Sequence, residues 1–256
     1  MPEYIYGHWP VREALKANRR KIDQVLITER IELRGVVGEI ANLANARDVA
    51  VRRVPRAIMD DLAGGGNHQN TVLRVRGYPY VDVEDILAYA AKRGEKPFIL
   101  LLDLLQDPQN VGSLMRVADA VGVHGVIIQE RRSVGVLPSV VSASSGAVEH
   151  LLVAQVTNLV NTMKDLKNQE VWMVGLDIGT DLLPLNKTNL DMAIGLVLGS
   201  EGDGMRRLVR ETCDLLLTLP MRGNVDSLNV ATVGSVALYH AWEARNWEGW
   251  RPLPGE

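Results

Sequence analysis

Apolar positions recur at helical spacing along VREALKANRR (11–20), which predicts a helix there. IDQVLIT (22–28) predicts a short strand, VVGEIANLANAR (36–47) a second helix, and the β-branched run VAVRRV (49–54) another strand. AIMDDLAG (57–64) predicts a short helix ending in Gly64, Gly65 and Gly66. TVLRVRGY (71–78) alternates apolar and basic positions, as a half-buried strand does. Short strands between helices make a small three-layer α/β unit. PYVDVEDILAYAAKRGEK (79–96) carries one short helix and a charged, Gly-containing end, and reads as a linker.

The pattern then changes. FILLLDLL (98–105) is apolar but for one acid, typical of a strand buried on both faces. Further strands are predicted at 125–129, 150–156, 171–177, 193–199 and 215–220. Helices are predicted at 110–122, 137–149, 157–169, 205–213 and from about 229 to 245. Strands alternating with helices argue for a parallel sheet with crossovers. The expected division is a first domain over 1–77, a linker over 78–96 and a second domain over 97–256, with a frayed tail at 251–256.

Composition narrows the class. Apolar residues make up 46% and charged residues 23% of the 256, which excludes disorder as the main state. A single cysteine excludes a disulfide scaffold and fits a reducing compartment. No stretch has the length and apolarity of a membrane span, and the first residues lack a signal-peptide core, so a cytoplasmic protein is expected. The five histidines are dispersed, and no metal-ligand spacing appears. A net charge of −3 disfavours a polyanion partner for the chain as a whole, but it is unevenly spread. Residues 1–77 hold 13 Lys+Arg against 9 Asp+Glu, a balance of +4, and the remainder carries −7. Chance variation among surface charges explains this as well as a nucleic-acid-facing first domain does.

Ligands of open parallel sheets bind outside the carboxyl ends of the strands. Three predicted strand ends carry unusual residues. After the first, DLLQDPQNVGSLMRVADAVG (103–122) places Asn110 at a helix start and Arg116 within an apolar helix. Taken singly, they read as a cap and a surface ion pair. LVLGSEGDGM (196–205) ends a strand in Gly199, with Glu201, Gly202 and Gly204 before a helix. It has neither the Gly-Lys-Ser/Thr of a P-loop nor the GxGxxG of a dinucleotide site. LTLPMRGNVDSLNVATVGSVALYHAWEA (217–244) has a polar loop with Arg222, Gly223, Asn224 and Asp226, then Ser227 and Asn229 before a helix of small residues. Alone, Ser227 reads as the helix cap and Leu228 as core.

Together the segments resemble the three signature motifs of the SpoU (TrmH-type) branch of the SPOUT RNA methyltransferases. These are Asn-x-Gly-x-x-x-Arg, Gly-x-Glu-x-x-Gly and Pro-Met-x-Gly-x-x-x-Ser-Leu-Asn-Val. Here they stand as Asn110 to Arg116, Gly199 to Gly204, and Pro220 to Val230, in the family's order. YIYGHWPVREAL (4–15) and GGGNHQNTVLRV (64–75) resemble the substrate-binding domain that precedes the catalytic domain in this family. The subgroup most similar is the RlmB-type 23S rRNA guanosine 2′-O-methyltransferases. One position departs from the pattern: Ala231 stands where many relatives have serine.

The resemblance implies an α/β chain with a C-terminal deep trefoil-knot domain, built on a parallel sheet, behind a small L30e-like α/β domain. It implies S-adenosylmethionine as cofactor, held by Gly199, Leu219, Met221, Ser227 and Leu228. Arg116 would act on the ribose 2′-hydroxyl as its activator or by positioning the neighbouring phosphate, since a guanidinium is a poor base at neutral pH. Glu201 would orient Arg116 or the loop, with Asn110, Ser227 and Asn229 binding substrate or holding the knot loops. Arg52, Arg53, Arg56, Arg74 and Arg76 would meet RNA phosphates, and His68 and Gln69 would lie on an RNA-facing loop. The plain reading of that loop is a surface hairpin. A homodimer is implied, with Tyr239, Trp242, Trp247 and Trp250 as an aromatic face, although packing within one chain serves them equally. The alternatives are a tRNA ribose methyltransferase and an RNA-binding knot protein without catalysis.

Overall fold

The computed structural model describes residues 2–179, 181–225 and 227–250. Asp226 of the third motif and the tail 251–256 lie outside the described residues. The chain forms two compact units. The first comprises residues 1–79, 111–116 and 135–151, and the second 80–110, 117–134 and 152–256.

In the first unit, strands β1 (Glu3–Tyr6), β2 (Ile22–Thr28), β3 (Ala50–Val54) and β4 (Thr71–Val75) form a sheet in the order β1-β4-β2-β3. β4 is antiparallel to both β1 and β2, and β2 is parallel to β3. Helices α1 (His8–Ala17), α2 (Gly35–Asn45) and α3 (Arg56–Leu62) fill the connections. Leu26 and Val72 turn to one face and enclose Met59 of α3. The alternate residues Ile5, Val25, Ile27 and Leu73 are fully buried, as the two-residue period of a strand between two helical layers requires. β1 is an element that apolar spacing did not predict, because EYIY is only four residues and begins with an acid.

Residues 137–149 were expected as one helix. They form α6 (Pro138–Ala143), a break at Ser145 (φ 53°) and Gly146 (φ 86°), then a single 3-10 turn over Ala147–His150. Two consecutive left-handed residues cannot continue a right-handed helix. The turn is tied to the first strands by charge. Buried Arg20 contacts buried Glu149 and the Glu3 carboxylate, each at 2.9 Å.

The second unit holds a seven-stranded parallel sheet in the order β7-β6-β5-β10-β8-β11-β9. The strands are β5 (Phe98–Leu102), β6 (Gly125–Gln129), β7 (Val153–Val156), β8 (Trp172–Leu176), β9 (Leu183–Pro184), β10 (Ile194–Leu198) and β11 (Leu215–Thr218). Every residue of β5, β6 and β10 is buried, matching their unbroken apolar runs. The helices are α4 (Val83–Arg93), α7 (Leu159–Lys167), α8 (Arg207–Thr212) and α9 (Val230–Ala244). Helix α5 (Pro108–Ala120) contributes its two ends here and residues 111–116 to the first unit. α4 begins with a capping box between Asp82 and Asp85 and buries Ile86 among Ile99, Leu101 and Ile127. Among the described residues, no helix is long and apolar enough to cross a membrane.

Candidate active site

The carboxyl ends of β8, β10 and β11 open onto a cavity of about 360 Å³. Leu176, Leu198, Leu219, Met221, Leu228 and Val233 give it apolar walls, and Gly199, Ser200, Glu201, Thr218, Ser227 and Asn229 supply polar edges. Gly199, Leu219, Met221, Ser227 and Leu228, expected to hold a cofactor, all line it. Met221 and Leu228 are 41% and 40% exposed, so part of this apolar wall lacks protein cover.

The loop after β10 has a steric reason for its first glycine. A Cβ on Gly199 would lie 2.1 Å from the carbonyl carbon of Gly204 and from the nitrogen of Met205. The loop folds back on itself through paired backbone bonds between Ser200 and Gly204, at 3.1 and 3.0 Å. Gly202 and Gly204 take positive φ of 85° and 66° at the turn. The close approach that Gly199 permits is therefore to the loop's own backbone.

Three side chains join the motifs. Asn110 Nδ2 donates to Glu201 Oε1 at 2.6 Å, and Asn229 Nδ2 donates to the same oxygen at 2.7 Å. Asn229 Nδ2 also reaches Asn110 Oδ1 at 2.9 Å. Glu201 is the common acceptor of two carboxamides and so braces the loop. Neither asparagine is placed as its neighbours in sequence suggest. Asp107, not Asn110, caps α5, accepting from the Gln109 N–H at 2.9 Å and from Asn110 Nδ2 at 2.9 Å. Asn229, not Ser227, caps α9, its Oδ1 accepting from the N–H groups of Ala231 and Thr232 at 2.9 and 3.3 Å.

One contributor was missed by sequence reasoning. Asp103 follows β5 and is 1% exposed. Its carboxylate accepts from the Arg206 N–H at 2.9 Å and from Arg206 Nε at 2.8 Å, anchoring the far end of the 199–206 loop. The signal was the single acid in the apolar run 98–105.

The remaining expected residues belong to the first unit. Arg116 is exposed, and its NH1 donates to Ser145 Oγ at 3.1 Å. Gly112 permits a close crossing, since a Cβ there would lie 2.4 Å from Ala143 Cβ. His68 does not present an RNA-facing imidazole. It is buried, with Nε2 3.0 Å from Asp60 Oδ1 and Nδ1 accepting from the Asn70 N–H at 3.0 Å. Gln69 is exposed, but its Oε1 accepts from the His8 N–H at 2.8 Å and so caps α1. Arg52 and Arg53 are exposed neighbours on β3, and the strand's period turns them to opposite faces. By register Arg52 shares the α3 face with Arg74, while Arg74 and Arg76 flank Asp23 at 3.6 and 3.5 Å. Among the described residues, no group of three or more His, Cys, Asp or Glu is placed to hold a metal ion.

The sequence pattern of the SpoU rRNA methylase family matches residues 97–239. A pattern for RNA 2′-O ribose methyltransferase substrate binding matches residues 4–81. YacO of Bacillus subtilis, named for the TrmH family of tRNA/rRNA methyltransferases, is 40% identical over 246 residues, covering 95% of this chain and 96% of its own. A Staphylococcus saprophyticus protein named for the same family is 38% identical over 245 residues, covering 96% of this chain and 97% of its own. Among solved structures, the SpoU methyltransferase AviRb from Streptomyces viridochromogenes, in complex with AdoMet, is similar with a TM-score of 0.79 at 22% identity, over 96% of this chain and 91% of that one.

Proposed function

Because this chain belongs to the SpoU rRNA methylase family, we propose that it transfers a methyl group from S-adenosylmethionine to a ribose 2′-hydroxyl of RNA, with a guanosine of 23S rRNA as the favoured substrate. The observation that carries this reading is the hydrogen-bonded union of Asn110, Glu201 and Asn229, one from each motif, beside the cavity at the strand ends. The cavity suits the cofactor on chemical grounds. Its volume is that of a small-molecule site, and its apolar walls with polar edges suit a base flanked by a charged amino-acid portion. Bound there, S-adenosylmethionine would supply a methyl group activated by its sulfonium.

The chain's own residues then have three tasks. Gly199, Leu219, Met221, Ser227 and Leu228 enclose the cofactor. The Asn110–Glu201–Asn229 cluster fixes the loops that form the enclosure, which lowers the entropic cost of aligning the reactants. Arg116 holds the phosphate beside the target ribose and stabilises the developing alkoxide as the 2′-hydroxyl proton passes to solvent water. A guanidinium is a poor base, so Arg116 acts through its field and donors.

For RNA capture we assign exposed Arg52 and half-buried Arg74, which share one face of the first unit's sheet, with exposed Arg53 on the other face. Exposed Tyr239, Trp247 and Trp250 support a homodimer. A tRNA ribose is the second reading, supported by the relatives' names, which carry both RNAs. Isothermal calorimetry tests the core of the proposal. S-adenosylmethionine is expected to bind, and Met221→Asp is expected to weaken it at least tenfold. Absence of binding with and without RNA would end the methyltransferase reading.

A further inference from the structure

We infer that Ser145 is the positioning residue for Arg116, and that α1 holds the turn that carries it; this rests on the reading of Arg116 as the group that faces the RNA ribose. Arg116 lies on an exposed helix face, where an unheld guanidinium samples many rotamers. Its NH1 donates to Ser145 Oγ at 3.1 Å. One acceptor on one terminal nitrogen leaves most of the donor fork for a phosphate or a developing oxyanion.

The acceptor's place is set by backbone and packing. Ser145 sits at φ 53°, in the left-handed region that a serine rarely adopts. Gly146 follows at φ 86°, and a Cβ there would lie 2.8 Å from Glu13 Cβ and 3.0 Å from Pro10 Cα. The turn thus rests directly on α1, and no side chain fits between them. A hydrogen-bond contact and an ion pair hold the residues that follow: His150 Nε2 is 2.9 Å from Glu13 Oε2, and Glu149 is 2.9 Å from Arg20. A non-glycine residue kept in a costly conformation by surrounding contacts marks a place where position matters more than local stability. Here the atom so placed is the one that holds Arg116.

The test compares wild type, Ser145→Ala, Ser145→Asn and Arg116→Ala with tritiated S-adenosylmethionine and rRNA and tRNA fractions from cells lacking this protein. Asparagine tolerates the left-handed region and supplies an amide oxygen in place of Oγ. Ser145→Ala is expected to lower kcat about tenfold or more, with KM for RNA within twofold, since the lost contact orients a group without binding substrate. Its calorimetric affinity for S-adenosylmethionine and its melting temperature are expected to stay near wild type, and Ser145→Asn to recover most of the turnover. Wild-type kcat in Ser145→Ala would overturn the inference. So would a loss carried by KM, or an equal loss in the alanine and asparagine variants. Wild type that methylates neither fraction would overturn the underlying functional reading and the inference with it, and that outcome is distinct because it needs no variant.

Discussion

Asn110 Nδ2 lies 2.6 Å from Glu201 Oε1, joining residues 91 positions apart across the carboxyl end of the parallel sheet. Asn229 shares the same carboxylate oxygen at 2.7 Å. Glu201→Ala removes the acceptor from both carboxamides and leaves the 199–204 loop without its brace. Losing hydrogen bonds to a charged group costs about 1.5–3 kcal/mol, so S-adenosylmethionine affinity should fall roughly 10- to 100-fold by calorimetry. Glu201→Gln keeps an acceptor oxygen and should lose less.

Gly199→Ala puts a methyl group 2.1 Å from the backbone of Gly204 and Met205, where only a loop shift relieves it. The sheet beneath is unaffected, because Leu198 is already paired with Leu102 and Leu176. Overpacking of this kind costs about 1–3 kcal/mol. Cofactor binding should be lost while far-UV circular dichroism stays native.

Asp103→Ala strips the buried acceptor from the Arg206 N–H and guanidinium. A cost of about 2 kcal/mol should lower the melting temperature by roughly 4–8 °C. Asp103→Asn, with one acceptor oxygen left, should fall in between.

His124 makes stability depend on pH. Burial holds its imidazole below the ordinary value of 6.5, outweighing the pull of Glu95. Nδ1 accepts from the Phe98 N–H at 3.0 Å, so the proton sits on Nε2, 2.9 Å from Glu95 Oε2. Protonation of Nδ1 breaks the bond to Phe98 at the start of β5. The unfolded chain takes up this proton more readily than the folded one, so stability rises with pH across the window. The melting temperature should be level above about pH 7.5 and decline as pH falls below about 6.5. Differential scanning calorimetry at pH 8, 7, 6 and 5.5 checks this, and His124→Gln should flatten the slope.

Elements whose burial is uniform were legible from sequence. Residues 98–102, 125–129 and 194–198 lie inside the sheet, and their apolar continuity has no other use; the strand expected over 98–105 ends at Leu102, because Leu104 turns to a φ of 59°. Elements shaped by single backbone conformations were not. The break at Ser145 and Gly146 interrupts an otherwise helical spacing, and only the tight approach to Pro10 and Glu13 explains it. The apparent linker hides a core helix, because Ile86 needs a distant partner set to count as buried. At the site, the motifs named Asn110, Glu201 and Asn229, but not which of them caps a helix and which binds the loop. The family resemblance marks His68 as part of an RNA-facing loop, and nothing in GGGNHQN shows that Asp60 and Asn70 close around both ring nitrogens.

Ribose methylation of RNA by this chain is directly measurable. Its most direct test is to incubate the purified protein with tritiated S-adenosylmethionine and total RNA from cells lacking it, then map the label to nucleotide resolution. Label is expected in a 2′-O-methylated nucleotide, resistant to alkaline cleavage at its 3′ phosphodiester, and none with Arg116→Ala. Label on a base, or no label in any RNA fraction, would contradict it.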